Sequence, residues 1–133
     1  MGKDLIEVQL SVEIKDGTVI AHLFFWNKSE KKVYLNKQTM YYNGVVRNSY
    51  FEIMNSENIK TAYLGIMANC IRKPEEFVEL DPGGKIYSSI QLNNIYRLIK
   101  GDNYNIQYSA FNPSFSEDQK LMQMESNKVE ITY

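Results

Sequence analysis

The sequence predicts an all-β protein, an antiparallel β-sandwich in a single domain over residues 1–133. Three observations carry this. Short segments of alternating apolar and polar residues recur along the chain. Asn, Gly and Pro punctuate the gaps between them. No apolar stripe of helical period runs far enough for a long helix. With 44% hydrophobic and 13% aromatic residues, there is ample material for a core.

Leu5 to Ile14 opens the chain as a strand, in which Ile6, Val8, Leu10, Val12 and Ile14 alternate with Glu7, Gln9, Ser11 and Glu13. Lys15-Asp16-Gly17 supplies a hairpin turn, because glycine takes a positive φ without strain. Residues 18–27, TVIAHLFFWN, return with Val19, Ala21, Leu23 and Phe25 on one side. Ile20, His22, Phe24 and Trp26 fall on the other, and two partly apolar faces suit a central strand or one covered by a loop. After the turn at Asn27 to Glu30, Lys32 to Leu35 reads as a short third strand. Asn43-Gly44 predicts a small protruding hairpin within residues 36–49. Tyr50 to Met54 and Thr61 to Ile66 read as two more strands, and the pattern is lost between Ala68 and Glu76.

Phe77 to Leu80 is extended. Pro82 then fixes φ while Gly83 and Gly84 allow a reversal before the strand Ile86 to Leu92. Asn93 to Ile99 is expected to make one helical turn, capped by Asn93 and stopped before Gly101. Tyr104, Ile106 and Tyr108 alternate with polar neighbours in a strand, and Lys120 to Tyr133 is a last strand bent near Ser126-Asn127. In an immunoglobulin-like sandwich, a tyrosine near the start of the sixth strand bonds its hydroxyl back across the corner. Tyr104 fits that role, with Tyr96 packing beneath the Gly101-Asp102 turn. The Pro-Gly-Gly and Gly-Asp-Asn stretches then mark corners of the sandwich, not chemical motifs.

Charge excludes one class. Lys and Arg number 15 against 16 Asp and Glu, a formal net charge of -1, whereas a protein that neutralises phosphates is usually plainly basic. No nucleic-acid partner is expected. The start, MGKDLIEVQL, lacks the pattern of a signal peptide, and Ile6 stands where a myristoylation signal wants Ser or Thr. No segment approaches membrane-spanning length. The one cysteine, Cys70, forms no internal disulfide, and together these features predict a cytoplasmic protein. The Asn27-Lys28-Ser29 sequon is accordingly read as chance.

No enzyme signature is present. His22 is the only histidine, and neither H-E-x-x-H, nor a phosphate-binding glycine loop, nor a G-x-S-x-G elbow occurs. One Cys and one His cannot fill a structural zinc site. Asp16, Asp81 and Asp102 sit at turns, and Asp118 with Glu117 lies in the late loop without a dense oxygen-ligand motif. The expectation is no enzyme activity, no cofactor and no metal.

Tyr41 and Tyr42 flank the Asn43-Gly44 turn. Either one is exposed at a loop tip, where an aromatic ring anchors a partner at low entropy cost, or both fold over the sandwich edge. The candidate protein-binding residues are Tyr41, Tyr42 and Arg47 around this turn, Arg72 and Lys73 in the crossover, and Phe115 in NPSFSEDQ.

Several ordered blocks carry a resemblance: Tyr63-Leu64-Gly65-Ile66, residues 73–78 (KPEEFV), Leu80-Asp81-Pro82-Gly83-Gly84, Leu92-Asn93-Asn94-Ile95-Tyr96 and Tyr104-Asn105-Ile106-Gln107-Tyr108. Together they resemble the immunoglobulin-like domain that precedes the catalytic domain of deuterolysin-type, peptidyl-lysine metalloendopeptidases. The peptidase zinc motif has no counterpart here, so the resemblance implies contact with a protease and no peptidase activity. The expected function is a non-catalytic protein-binding module, an inhibitor or immunity protein acting on a protease or toxin. The alternative is a structural or carbohydrate-binding accessory domain, which would show an aromatic platform on one face and an exposed Trp26. Trp26, at the end of an apolar strand, is expected to be buried.

Overall fold

The computed structural model describes residues 5–115 and 121–133. Within them lie strands β1 (Ile6–Lys15), β2 (Thr18–Asn27), β3 (Val33–Asn36) and β4 (Phe51–Met54). β5 (Phe77–Leu80), β6 (Lys85–Gln91), β7 (Asn103–Asn112) and β8 (Met122–Thr132) follow. Helical structure among these residues is limited to 3-10 turns at Tyr42–Gly44, Pro74–Glu76 and Leu92–Asn94. The fold is all-β.

The larger sheet has the order β4-β7-β8-β1-β2-β6, and β3 pairs with β5 in a second, two-stranded sheet. Pairing is antiparallel except between β1 and β8, which meet in parallel at Val8 and Ser126. β1 and β8 separate β2 from β7, so a flat sheet would hold those two about 14 Å apart. Yet the Phe25 and Tyr108 rings meet edge to face at 5.5 Å. The sheet therefore folds over on itself between β1 and β8, and the two halves face each other as a sandwich.

Alternation explains which side chains fill it. Val19, Ala21, Leu23 and Phe25 of β2 are fully buried, facing Ile53, Tyr104, Ile106, Tyr108 and Met124 of the opposite half. β2 is a central strand, as its two apolar faces suggest, but its second face is not covered. Phe24 is 43% exposed there, and Trp26 is half-buried rather than buried.

Side-chain amides complete strand edges that backbone pairing leaves open. The Asn127 amide accepts from the Leu10 N–H at 2.8 Å and donates to the Leu10 carbonyl at 2.9 Å. It stands where the β7–β8 register shifts, which is the bend expected near Ser126-Asn127. Asn112, fully buried, does the same for β3, accepting from the Asn36 N–H and donating to the Tyr34 carbonyl. This ties the small sheet to the large one.

The corners follow the turn residues. Gly83, at φ +79°, donates its N–H to the Asn27 carbonyl, and the Asn27 N–H donates to the Gly84 carbonyl. The Asn27 side chain is fully buried and bonded to Lys31, Leu80 and Ser29, so folded protein offers no glycan acceptor at this sequon. Tyr104 makes the corner bond expected of it: its buried hydroxyl accepts the Ile99 N–H at 2.8 Å. Tyr104→Phe is expected to lose about 0.5–1.5 kcal/mol of stability. A lower urea midpoint at unchanged slope is the readout, and an unchanged midpoint would show that the bond contributes nothing.

Three elements differ from expectation. Asn43-Gly44 lies in a 3-10 turn, not a hairpin, because Tyr41, Asn43 and Gly44 all take positive φ and coil the chain against β6. Residues 61–66 make no strand: Tyr63 forms an isolated bridge to Tyr96, and Lys60, just before them, one to Met54. The helical turn falls at Leu92–Asn94, since Asn93 spends its carbonyl oxygen on the Val19 N–H across the fold instead of capping. Glu117 and Asp118 lie outside the described residues.

Candidate functional site

Edge strand β4 is flanked by the chain between β3 and β4 and by the long connection from β4 to β5, which runs from Ser56, bonded to Asp102 just before β7, to Arg72, bonded to Ser114 just after it. The second of these has little regular structure, yet it is tethered along its length. The Leu64 N–H donates to the Ile95 carbonyl at 2.7 Å, and the Arg97 N–H to the Ala62 carbonyl. The Ala68 N–H donates to the Arg47 carbonyl, while the Ala68 carbonyl accepts from the Gln38 and Asn48 amides. The Asn36 amide holds the Ile71 carbonyl at 3.0 Å. Asn36 and Gln38 are themselves buried, so the loop hangs on polar groups rooted in the core.

Tyr63 shapes the outermost stretch. Its hydroxyl donates to the Ile66 carbonyl, folding the ring over Gly65. A Cβ at Gly65 would lie 2.6 Å from that hydroxyl oxygen, so any larger residue there would push the Tyr63 ring aside. Between these fixed points the apolar side chains turn outward: Met67 is 74% and Ile66 61% exposed, with Leu64, Ile59, Val45 and Ile71 also exposed. A polar contact network holds the backbone while aliphatic groups face water.

The residues proposed from sequence divide here. Tyr41 leaves the surface: it is fully buried, stacked on Phe51 at 5.4 Å, and its hydroxyl accepts the Tyr50 N–H at 2.7 Å. The left-handed backbone at Tyr41 turns the ring inward, and burial pushes its phenol well above the ordinary range. It cannot serve as a loop-tip anchor. Tyr42 is half-buried beneath the Lys37 ammonium, 5.3 Å from the ring centre. Arg47 is half-buried, donating its Nε to Gln38 Oε1 at 3.3 Å. Tyr42 and Arg47 line a shared pocket of about 300 Å³ with Lys37, Val45, Ile71 and Glu76.

Arg72 is exposed and bonds the Ser114 carbonyl at 3.0 Å and its hydroxyl at 2.8 Å. Lys73 is exposed at the start of the Pro74–Glu76 turn. Phe115, a candidate binding residue, is half-buried in an aromatic cluster, stacked on Tyr34 at 4.2 Å and edge-on to Phe77 at 5.1 Å. The arginine and Phe115 thus sit together through Ser114, next to Ile71 at the pocket wall.

Sequence reasoning missed Leu64, Ile66 and Met67, because Thr61 to Ile66 reads as a strand and Met67 falls just past its end. The signal was the pair Ile66-Met67: two adjacent apolar residues beside Gly65 do not fit a two-residue period.

Elsewhere, His22 lies on the open face of β2, with Nδ1 2.6 Å from the Tyr87 hydroxyl and Nε2 2.7 Å from a Glu13 carboxylate oxygen. Among the described residues, no three His, Cys, Asp or Glu side chains come together as a metal site. No helix there is long and apolar enough to cross a membrane. No protein family matches this chain, and neither does any curated protein.

Proposed function

We propose that the chain is a non-catalytic protein-binding module that docks through the loop spanning residues 59–73. The supporting observation is the run Leu64, Ile66 and Met67, held out in water by a loop whose backbone is tied to the core. Burying one such side chain is worth about 1.5–3 kcal/mol, so exposing several forgoes stability that a partner surface restores. Tethering lowers the ordering cost that a free loop would incur on association. Exposed aliphatic groups suit a protein surface, since sugars stack on aromatic rings.

A second reading has its own observation. Phe24 and Tyr87 are both exposed on the open sheet face, with ring centres 4.9 Å apart, as a carbohydrate-binding accessory domain would have them. Their planes are tilted by 44°, and Lys85 and Lys28 lie over the Trp26 ring at 4.9 and 5.5 Å. That surface is not a flat platform, and the loop remains the stronger site. A protease or toxin domain is the partner class implied by the resemblance, with this chain as inhibitor or immunity protein.

The test is comparative capture from cells that produce the protein, using wild type, Ile66→Asp/Met67→Asp and Phe24→Ser/Tyr87→Ser as baits. Both altered pairs are exposed, so folding should survive. A protein retained by wild type and by the sheet-face variant, and lost by the loop variant, is the expected result. Loss on the sheet-face variant alone would transfer the function to the second reading.

A further inference from the structure

The pocket beside the loop holds two half-buried cations, Lys37 and Arg47, and no carboxylate among the described residues is paired to either. Among the described residues, the ion pairs are His22–Glu13, Lys28–Glu7, Lys32–Glu79 and Lys60–Glu52; neither Lys37 nor Arg47 takes part. Arg47 commits its Nε to Gln38, leaving its terminal nitrogens for other work. Half-burial strips part of a cation's hydration, and an arriving anion restores the interaction. A guanidinium offers paired N–H donors that match the two oxygens of a carboxylate, and a lysine adds a point charge.

Glu76 also lines the pocket without pairing to either cation. The walls therefore carry two positive charges against one negative, which favours a monoanion and disfavours a dianion such as phosphate. Val45 and Ile71 form an apolar wall of the same pocket and are themselves exposed. A volume of about 300 Å³ holds a side chain and little more.

We propose that this pocket receives an acidic side chain, Asp or Glu, from the protein that docks on the loop. The proposal rests on the protein-binding reading above and names the chemistry of its partner. The shared residues Val45 and Ile71 make the pocket continuous with the apolar surface. The partner segment therefore carries its carboxylate next to an aliphatic residue, the first seated between Lys37 and Arg47 and the second against Val45 and Ile71.

Isotope-labelled protein titrated with acetyl-Leu-Glu-Leu-amide tests this without the partner. The expected result is saturable movement of the Asn43, Val45 and Arg47 amide resonances, at least fivefold weaker binding of the Gln counterpart, and weaker binding still of inorganic phosphate. Lys37→Gln should weaken the Glu peptide severalfold and Glu76→Gln should tighten it. Opposite signs from two substitutions in one pocket report charge, which a packing role would not produce. No response to the Glu peptide, or equal binding of Glu and Gln peptides, would overturn the proposal. So would tighter binding of acetyl-Leu-Leu through its free terminal carboxylate. If the Glu peptide binds as expected while capture proves independent of the loop, the docking reading fails and the pocket's preference for a side-chain carboxylate stands.

Discussion

Tyr41→Ala is expected to cost about 3–5 kcal/mol, a large part of the 5–15 kcal/mol that holds a typical domain together. The ring is fully buried, parallel to Phe51 and edge-on to Tyr50 and Tyr108. Truncation leaves a cavity among them and also strands the Tyr50 N–H that the hydroxyl accepts. Tyr41→Phe keeps the ring and loses the hydroxyl's bonds to the Tyr50 N–H and the Asn48 carbonyl, so a smaller loss of about 1–3 kcal/mol is expected. Urea unfolding of both variants checks the order, wild type above Phe above Ala. A wild-type midpoint for Tyr41→Ala would remove the residue from the core. Any binding defect in that variant would therefore report unfolding, not a lost contact.

The second large effect is alkaline. Burial pushes the phenols of Tyr41 and Tyr108 well above their ordinary value near 10, and that of Tyr50, half-buried beside Gln38 and Cys70, up to about 12. Below about pH 10 these groups are protonated in both folded and unfolded chains, and their full contribution is present. Above it the unfolded chain releases protons that the folded chain keeps. Stability then falls as pH rises toward the folded values, by about 1.4 kcal/mol per pH unit for each fully buried phenol. Unfolding free energies measured from pH 8 to 11.5 should be flat with respect to these tyrosines up to about pH 10 and fall above it. Tyr108→Phe should lessen the alkaline slope by roughly one such increment. Phenolate absorbance appearing for all 10 tyrosines near pH 10 with the fold intact would contradict the burial.

Much of the sandwich was legible because its strands obey a two-residue period. Residues 18–27 and 77–80 fall where alternation places them, and Tyr104 bonds across its corner as a tyrosine at a strand start should. What escaped depends on contacts distant in sequence. Asn112 and Asn127 each serve as a strand edge, Asn127 to Leu10 at the far end of the chain, and nothing local in the sequence marks that role. Trp26 resembled a core residue because its strand is apolar on both faces; the exposure of Phe24 beside it shows that one face is open.

The site was half legible for the same reason. Tyr42, Arg47 and the stretch at Arg72 do gather at one pocket, in loops between strands. Tyr41 and Tyr42 are indistinguishable by composition, and it is Tyr41, at the left-handed turn, that goes inward onto Phe51 and the Tyr50 N–H. The exposed Leu64, Ile66 and Met67 had one local signal, the adjacent Ile66-Met67 pair, while the Tyr63–Ile66 bond that folds the segment depends on its three-dimensional geometry. Phe115 had the composition of an anchor and instead closes over Tyr34.

Calorimetric titration of a captured and purified partner tests the central claim most directly. Met67→Ala, Ile66→Ala and the sheet-face variant Phe24→Ala would be compared with wild type, each first shown to unfold at the wild-type urea midpoint. At least one loop variant should lose about 2 kcal/mol or more of binding free energy, while Phe24→Ala stays near wild type. Full affinity in both loop variants, with the loss falling on Phe24→Ala, would contradict docking through this loop.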